Sequence, residues 1–99
     1  MFIVLLRFSD NRAQASQWMA EHNGWLKQGF MDDVFLLAGS LQPQQGGTII
    51  AHNISRPELE SRVADDPFVA ENVVRAEIME ITPARVDARL SFLMAGAES

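Results

Sequence analysis

This chain contains four strand-like runs and two helical segments, and their order restricts its fold more than any other feature. The strand-like runs are apolar and partly β-branched, and they lie at 2–8 (FIVLLRF), 34–38 (VFLLA), 48–54 (TIIAHNI) and 75–81 (RAEIMEI). A segment of helical spacing over 12–29 separates the first two runs. A polar loop, QPQQGG, joins the middle two as a hairpin, and a second helical segment precedes the fourth run.

This β-α-β-β-α-β order is the split βαβ, or ferredoxin-like, plan. It predicts an α+β fold with one four-stranded antiparallel sheet and two helices on one face. In this plan no helix covers the other face of the sheet. The strands are apolar with little polar alternation, so both faces of the sheet are apolar and we expect the second face to be covered too. Face-to-face dimerisation covers it, which predicts a homodimer with a dimeric α/β-barrel assembly.

The 99 residues are enough for one domain, 1–99, with a core at 1–83. After Pro83, the stretch ARVDARLSFLMA at 84–95 again has helical spacing, so 84–99 is predicted to be a C-terminal helical extension. This extension has an apolar stripe to cover, and it packs on its own sheet or on a partner subunit.

The first helix carries the most informative side chain, His22. The stripe around it is apolar and recurs at intervals of three and four residues: Ala15, Trp18, Met19, Trp25 and Leu26. At about 100° per residue, His22 lies near the centre of this buried stripe. Gly29 is expected to end the helix. In the second helix, Ser55 is expected to be the N-cap, with Glu58 at the capping-box position.

Composition excludes several classes of protein. There is no cysteine, which excludes disulfides, thiolate metal sites and a cysteine nucleophile. The net charge is −5 and the eight basic residues are scattered, which argues against binding to nucleic acid or to an anionic membrane surface. The chain shows neither a signal-peptide pattern nor a run of about 20 apolar residues. We therefore expect a soluble, cytoplasmic protein.

His22 has two interpretations at this point. The imidazole of histidine titrates near neutral pH, so His22 is a candidate general acid or base if an acceptor orients its other nitrogen. It is equally a candidate for a core-edge histidine that bonds a backbone carbonyl. The two histidines do not have metal-ligand spacing, and Gly46-Gly47 lacks a nucleotide-binding pattern. We therefore expect no metal and no cofactor.

Several short motifs, taken in order, resemble the YciI-like (YCII-related) domain family. They are HNGWL in the first helix, A-G-S at the second strand, and DDPFVAENVV before EIMEI. The resemblance covers the chain to about Pro83. It implies a dimeric α+β-barrel of ferredoxin-like subunits, with a cleft that holds a His–Asp pair proposed as catalytic. By position the family's histidine is His22 and its aspartate is Asp66.

Asp66 also has a purely structural explanation. A residue before proline is kept out of the helical region, so Asp66 is placed as the N-cap of a helix that begins at Pro67. In the functional interpretation one carboxylate oxygen caps this helix and the other orients His22. The two roles are compatible, and the neighbouring Asp65 is interpreted as solvated.

Three further residues are candidate substrate contacts. Trp25, with Trp18, either walls an aromatic pocket or packs in the core or a dimer interface. Arg7 either binds a substrate carboxylate or marks where its strand meets solvent. Ser40 replaces the proline of the family's A-G-P motif, which changes the cleft lining, and it is a candidate hydrogen-bond donor there. His52 is interpreted as a surface residue.

Two functional hypotheses follow. The first is a small cofactor-independent enzyme that performs proton transfer of the isomerase, lyase or dehydrohalogenation type on a small aromatic or lactone-like metabolite. In it His22 is the acid/base, and Asp66 holds its tautomer and stabilises the imidazolium. The second is a non-catalytic dimeric module that binds a ligand or a partner protein, with His22 and Asp66 as a structural pair.

Overall fold

The apolar run at the start of the chain forms an inner strand of a four-stranded sheet. In the computed structural model, which describes residues 1–97, this strand is β1 (Phe2–Phe8). It pairs antiparallel with β3 (Gly46–Ala51) on one side and with β4 (Val74–Glu80) on the other. The edge strand β2 (Phe35–Leu41) pairs antiparallel with β3, giving the order β2-β3-β1-β4. The predicted α+β fold with a four-stranded antiparallel sheet is confirmed.

Three helices connect these strands. Helix α1 (Ala15–Met31) follows a 3-10 turn (Arg12–Gln14) and leads into β2. Helix α2 (Arg56–Ala64) begins at the predicted N-cap, where the Ser55 hydroxyl accepts a hydrogen bond from the backbone N–H of Glu58. A separate short helix, α3 (Pro67–Ala70), follows it.

Two predicted helix boundaries are wrong. Helix α1 runs two residues past Gly29, so this glycine does not end it. The predicted single helix over 84–95 is instead a 3-10 turn (Ala88–Leu90) followed by α4 (Phe92–Ala97). Asp87 interrupts the pattern because its side chain caps the 3-10 turn by accepting from the N–H of Arg89. Residues 98 and 99 of the predicted extension lie outside the described residues.

The core lies between one face of the sheet and the helices. Strand β1 alternates, with Phe2, Val4 and Leu6 buried, while Ile3 and Leu5 face the other side. The buried side chains of this face pack against buried residues of α2 and α3 and the inner stripe of α1, in a cluster that includes Ile49, Leu59, Val63, Phe68 and Val73. Within residues 1–97, no helix combines the length and apolarity needed to cross a membrane.

Candidate functional site

His22 and Asp66 lie 44 residues apart in the chain and are directly hydrogen-bonded in the fold. Nδ1 of His22 is 2.8 Å from Oδ1 of Asp66. Asp66 is fully buried, and His22 is only 9% exposed. The contact arises because α1 packs its His22 face against the start of α3, where Asp66 is the predicted N-cap. The fold therefore brings together the two residues that the family resemblance selects.

The two oxygens of Asp66 are used differently from the prediction. Oδ1 accepts both the His22 contact and the backbone N–H of Phe68, at 2.8 and 3.1 Å. Oδ2 is buried and has no hydrogen-bond partner among residues 1–97. The predicted division, with one oxygen for the cap and one for His22, is wrong, because a single oxygen lies within reach of both donors.

This arrangement favours one tautomer of His22. When Asp66 is an ionised carboxylate, which only accepts hydrogen bonds, Nδ1–H donates to Oδ1 and the lone pair lies on Nε2. The pair is thus equipped to hold a proton acceptor at Nε2.

Aromatic rings fix the plane of the imidazole. The Phe68 ring stacks on His22 with centroids 4.0 Å apart and planes 5° from parallel. Trp25 lies 6.0 Å from the imidazole centroid at 26°. Phe68 is doubly linked to the pair, because its backbone N–H bonds Asp66 while its side chain stacks on His22.

His22 borders a cavity of about 290 Å³ between α1 and the β2–β3 hairpin. Half of its lining residues belong to the β2–β3 hairpin, and β1, α1, α3 and β4 supply the others. Besides His22, the polar side chains around it belong to Asn23, Ser40 and Thr48. The described residues that line it include no Lys, Arg, Asp or Glu side chain. The cavity therefore suits a small ring-sized compound with hydroxyl or carbonyl oxygens.

The comparison with known protein families decides the family of this chain. The YCII-related domain matches residues 1–83. The protein belongs to the YCII-related domain family. The resemblance predicted from the short motifs is confirmed, and the residues after 83 lie beyond the match. No curated protein matches the chain.

Among solved structures, this YCII-related domain is similar to 5-chloro-2-hydroxyhydroquinone dehydrochlorinase (TftG) from Burkholderia phenoliruptrix AC1100. That structure is a complex with 2,5-dihydroxybenzoquinone. The similarity covers 82% of this chain and 93% of the other, with a TM-score of 0.66 and 16% sequence identity. At this level of identity the similarity establishes a shared fold.

Ser40 lies beside the His22 cavity because of an irregularity in β2. The pairing of β2 with β3 shifts register between Phe35 and Leu37. Beyond the shift, Ser40 pairs with Gly47, which pairs with the core residue Leu6. Without a bulge, Ser40 would face the open side of the sheet, because it lies five residues after the buried Phe35 and side chains alternate between faces. The bulge reverses the alternation, so Ser40 lies on the helix-covered face.

Asn23 is a lining residue that the sequence reasoning missed. The apolar stripe predicted around His22 does not include it. In the structure Asn23 is exposed, and it lies at the edge of the cavity. Its position directly after His22 is the only signal in the sequence that favours it.

Arg7 and Trp25 are not brought into this cavity. Arg7 is exposed and follows Leu6 on β1, so it faces the open side of the sheet, where it pairs with Gly46 and Arg75. The indole N–H of Trp25 donates to the carbonyl of Arg62 at 3.0 Å, so this ring packs between α1 and α2 beside His22. Their assignment as substrate contacts stays a prediction.

The described residues also bear on metal binding. Within residues 1–97, no group of three or more His, Cys, Asp or Glu side chains is placed to share a metal ion. The His22 pair supplies one nitrogen and one carboxylate, and those two groups already bond each other.

Proposed function

We propose that this YCII-related domain is a small-molecule enzyme in which His22 is the acid/base and Asp66 its orienting partner. One observation carries the proposal: a 2.8 Å bond from Nδ1 to a fully buried carboxylate holds an imidazole that borders a ring-sized cavity. This is the arrangement by which a carboxylate fixes the tautomer of a histidine base and stabilises the imidazolium that forms.

The proposed chemistry is a proton transfer coupled to isomerisation or elimination. Nε2 of His22 removes a proton from a carbon or hydroxyl group of the substrate. The electron pair of that bond shifts into the substrate, and in an elimination a leaving group such as chloride departs with its bonding electrons. The imidazolium is stabilised by Asp66, and it returns its proton to the isomerised substrate or to water.

The cavity supports a substrate that is a single ring with oxygen substituents. Its volume of about 290 Å³ is at the lower end for a small-molecule site. Ser40 and Asn23 offer hydrogen bonds to hydroxyl or carbonyl groups. The similarity to a dehydrochlorinase solved with 2,5-dihydroxybenzoquinone favours elimination on a hydroxylated ring as the first reaction to test.

The proposal includes a homodimer formed through the open face of the sheet. The cross-strand neighbours Ile3, Ile50 and Met79 lie side by side there, with Leu37 next to Ile50. Leu37 and Met79 are each 48% exposed in the single subunit. A second copy that packs on this apolar patch removes it from water and completes a ferredoxin-like, two-sheet α/β-barrel.

A non-catalytic ligand-binding or accessory module is the alternative, and one observation favours it. Asp66 caps α3 with the same oxygen that contacts His22, and it is fully buried. Helix capping alone accounts for an aspartate at this position. In this alternative the pair only holds α1 against α3, and the cavity binds a metabolite without changing it.

The test compares Asp66→Asn with Asp65→Asn, its exposed neighbour, and with His22→Gln. Release of chloride from 5-chloro-2-hydroxyhydroquinone measures elimination, and NMR titration with 2,5-dihydroxybenzoquinone measures binding. We expect Asp66→Asn to lower turnover by about a hundredfold or more, while binding is retained. His22→Gln removes turnover, and Asp65→Asn retains it.

The ¹⁵N chemical shifts of the His22 ring provide a readout that does not depend on the substrate. We expect the Nδ1–H tautomer in the parent protein and a changed tautomer population in Asp66→Asn. Ligand binding without turnover in the parent protein contradicts the enzyme proposal for this substrate and supports the binding module. An unchanged tautomer in Asp66→Asn contradicts the orienting role of Asp66.

A further inference from the structure

A second and larger cleft lies at the opposite end of the sheet from His22. Its volume is about 630 Å³, against about 290 Å³ for the His22 cavity, and the two share no lining residue. The start of β1, the end of β4, the loop after β3 and the C-terminal segment form its walls. None of its lining residues takes part in the proposed catalysis or lies in the proposed dimer patch.

His52 lines this cleft, and its burial differs from the prediction. The sequence reasoning placed it at the surface, but its side chain is only 17% exposed. The backbone N–H of His52 donates to the carbonyl of Val34, which extends the antiparallel pairing of β3 with β2 by one residue. Its Nε2 is buried without a hydrogen-bond partner among residues 1–97. A buried polar atom of this kind costs free energy until a ligand or water pairs with it.

The carboxylate of Asp33 lies at a distance from Nε2 of His52 that leaves room for one hydrogen-bond donor between them. Oδ1 of Asp33 lies 3.9 Å from Nε2 of His52, which is too long for a direct hydrogen bond. The side-chain amide of Asn53 donates to the backbone carbonyl of Asp33, which links the two turns that carry Asp33 and His52. One N–H-bearing group placed between them is within reach of both acceptors.

The C-terminal segment supplies an aromatic wall. The Phe92 ring packs edge-on against His52, with centroids 5.5 Å apart and planes at 70°. The adjacent Leu93 is buried and anchors α4, whereas Phe92 is 43% exposed. Both residues lie beyond the part of the chain that the YCII-related domain matches, so this wall belongs to the extension of this protein.

The charges around the cleft are mostly negative. Asp33, Glu58 and Glu80 border it. Two positive charges oppose these three carboxylates: the N-terminal ammonium group donates to the carbonyl of Ile81 at 2.9 Å, and Nη1 of Arg56 lies 3.9 Å from Oε1 of Glu80. Glu58 already accepts from the Ser55 hydroxyl, at 2.8 Å. The cleft therefore favours a positively charged ligand over a neutral or negative one of the same shape.

We propose that this cleft is a second binding site, for a small organic ammonium or guanidinium compound. The N–H donors of the ligand bridge Nε2 of His52 and Oδ1 of Asp33, and its charge lies against the Phe92 ring. A rotation of the Phe92 ring, which packs edge-on against His52 and is 43% exposed, opens a path towards Nε2. The proposal does not rest on the function of His22.

The experiment titrates the full chain with benzylammonium, benzyl alcohol and benzoate, followed by backbone amide NMR. These probes share a ring and differ in the charge of the polar group. We expect saturable shifts at Asp33, His52 and Phe92 with benzylammonium, and no shift at Gly39 or Gly47 of the His22 cavity. Benzyl alcohol should bind about tenfold more weakly, since it lacks the charge-assisted hydrogen bond, and benzoate should not bind.

Asp33→Asn tests the bridging carboxylate, and Glu60→Gln, an exposed carboxylate of α2 outside the cleft, is its matched control. Asparagine tolerates the positive φ of this position, so the turn is retained. We expect Asp33→Asn to weaken benzylammonium binding about tenfold and Glu60→Gln to leave it unchanged. Equal binding of amine and alcohol, an unaffected Asp33→Asn variant or the absence of saturable shifts would each overturn the proposal.

Discussion

At the scale of single residues, two glycines of α1 have opposite roles. Gly29 is buried against β2, and a Cβ added there would lie 2.1 Å from the Phe35 ring. Gly24 is exposed on the same helix, and a Cβ added there meets no atom within 4 Å. Gly29 was expected to end the helix, but its function is to let the Phe35 ring approach the helix backbone.

This contrast predicts opposite effects of the same substitution. Gly24→Ala should stabilise the protein by about 0.5–1 kcal/mol, because alanine has the higher helix propensity. Gly29→Ala should destabilise it by about 1–3 kcal/mol, because Phe35 must leave its position in the core. Urea unfolding of both variants, monitored by circular dichroism, measures the two free energies. Equal effects at the two positions would contradict the packing role of Gly29.

At the scale of elements, the end of α1 is joined to α2 by a charged contact. Asp32 is the C-cap of α1, where the negative end of the helix dipole disfavours a carboxylate. Its Oδ1 accepts from the Gln28 amide at 2.8 Å, and its Oδ2 lies 3.0 Å from the Arg62 guanidinium. The hydrogen bond from Gln28 first, and then that from Arg62, lowers the pKa of Asp32 below its ordinary value of 3.8.

The lowered pKa of Asp32 predicts a loss of stability in acid. Its folded-state pKa is below the unfolded value, so its contribution is fully present above pH 3.8 and is lost as the pH falls through the folded pKa. We expect Gln28→Ala to raise the pKa of Asp32 towards 3.8. Carboxyl ¹³C NMR measures that change, and urea unfolding at a series of pH values measures the stability.

Asp32→Asn should remove this part of the pH dependence below pH 3.8, while Asp65→Asn, at the end of α2, provides the matched comparison. If acid unfolding of the Asp32→Asn variant matches that of the parent protein, the contact does not contribute to acid stability. That outcome would leave the coupling of α1 to α2 to the Trp25–Arg62 hydrogen bond and to their apolar contacts.

At the scale of the whole molecule, the sheet has one covered and one open face. The open face carries an apolar patch at Ile3, Ile50, Met79 and Leu37, and a pair of like charges, Arg7 and Arg75, at its other end. Like charges directly across two strands are unfavourable unless a counter-charge is supplied. An apolar patch on a small domain favours association, because 99 residues bury a limited share of their surface.

The proposed dimer predicts that a charge on this patch separates the subunits. Leu37→Lys places two like charges in the interface of the dimer and should yield a monomer. Met31→Lys, at the end of α1 and 70% exposed, should leave the dimer intact. Sedimentation equilibrium measures the mass of each variant. A monomeric parent protein, or a dimeric Leu37→Lys variant, would contradict an interface on this face.

Local patterns predicted most of the elements. The run FIVLLRF forms β1 over the predicted residues, and Ser55 and Asp66 are N-caps. The stripe around His22 packs against the core except for Met19, which is 43% exposed, so that part of the prediction is wrong. These features depend on neighbours a few residues away, so the local sequence specifies them. The predicted extent of the C-terminal helix was wrong. Asp87 caps a 3-10 turn within the stretch whose apolar residues have helical spacing.

Long-range packing decided the geometry of the sites. Periodicity placed His22 on a buried face, and the family resemblance, rather than periodicity, selected Asp66 as its partner. The distance between the two side chains depends on how α1 packs against α3, across 44 residues. The side of the sheet on which Ser40 lies depends on a bulge in β2. The burial of His52 depends on its pairing with Val34 and on its contact with the Phe92 ring of α4. The spacing of apolar residues shows which face of a helix or strand is buried. The register between strands and the packing of helices depend on contacts between elements far apart in the chain, which local spacing does not specify.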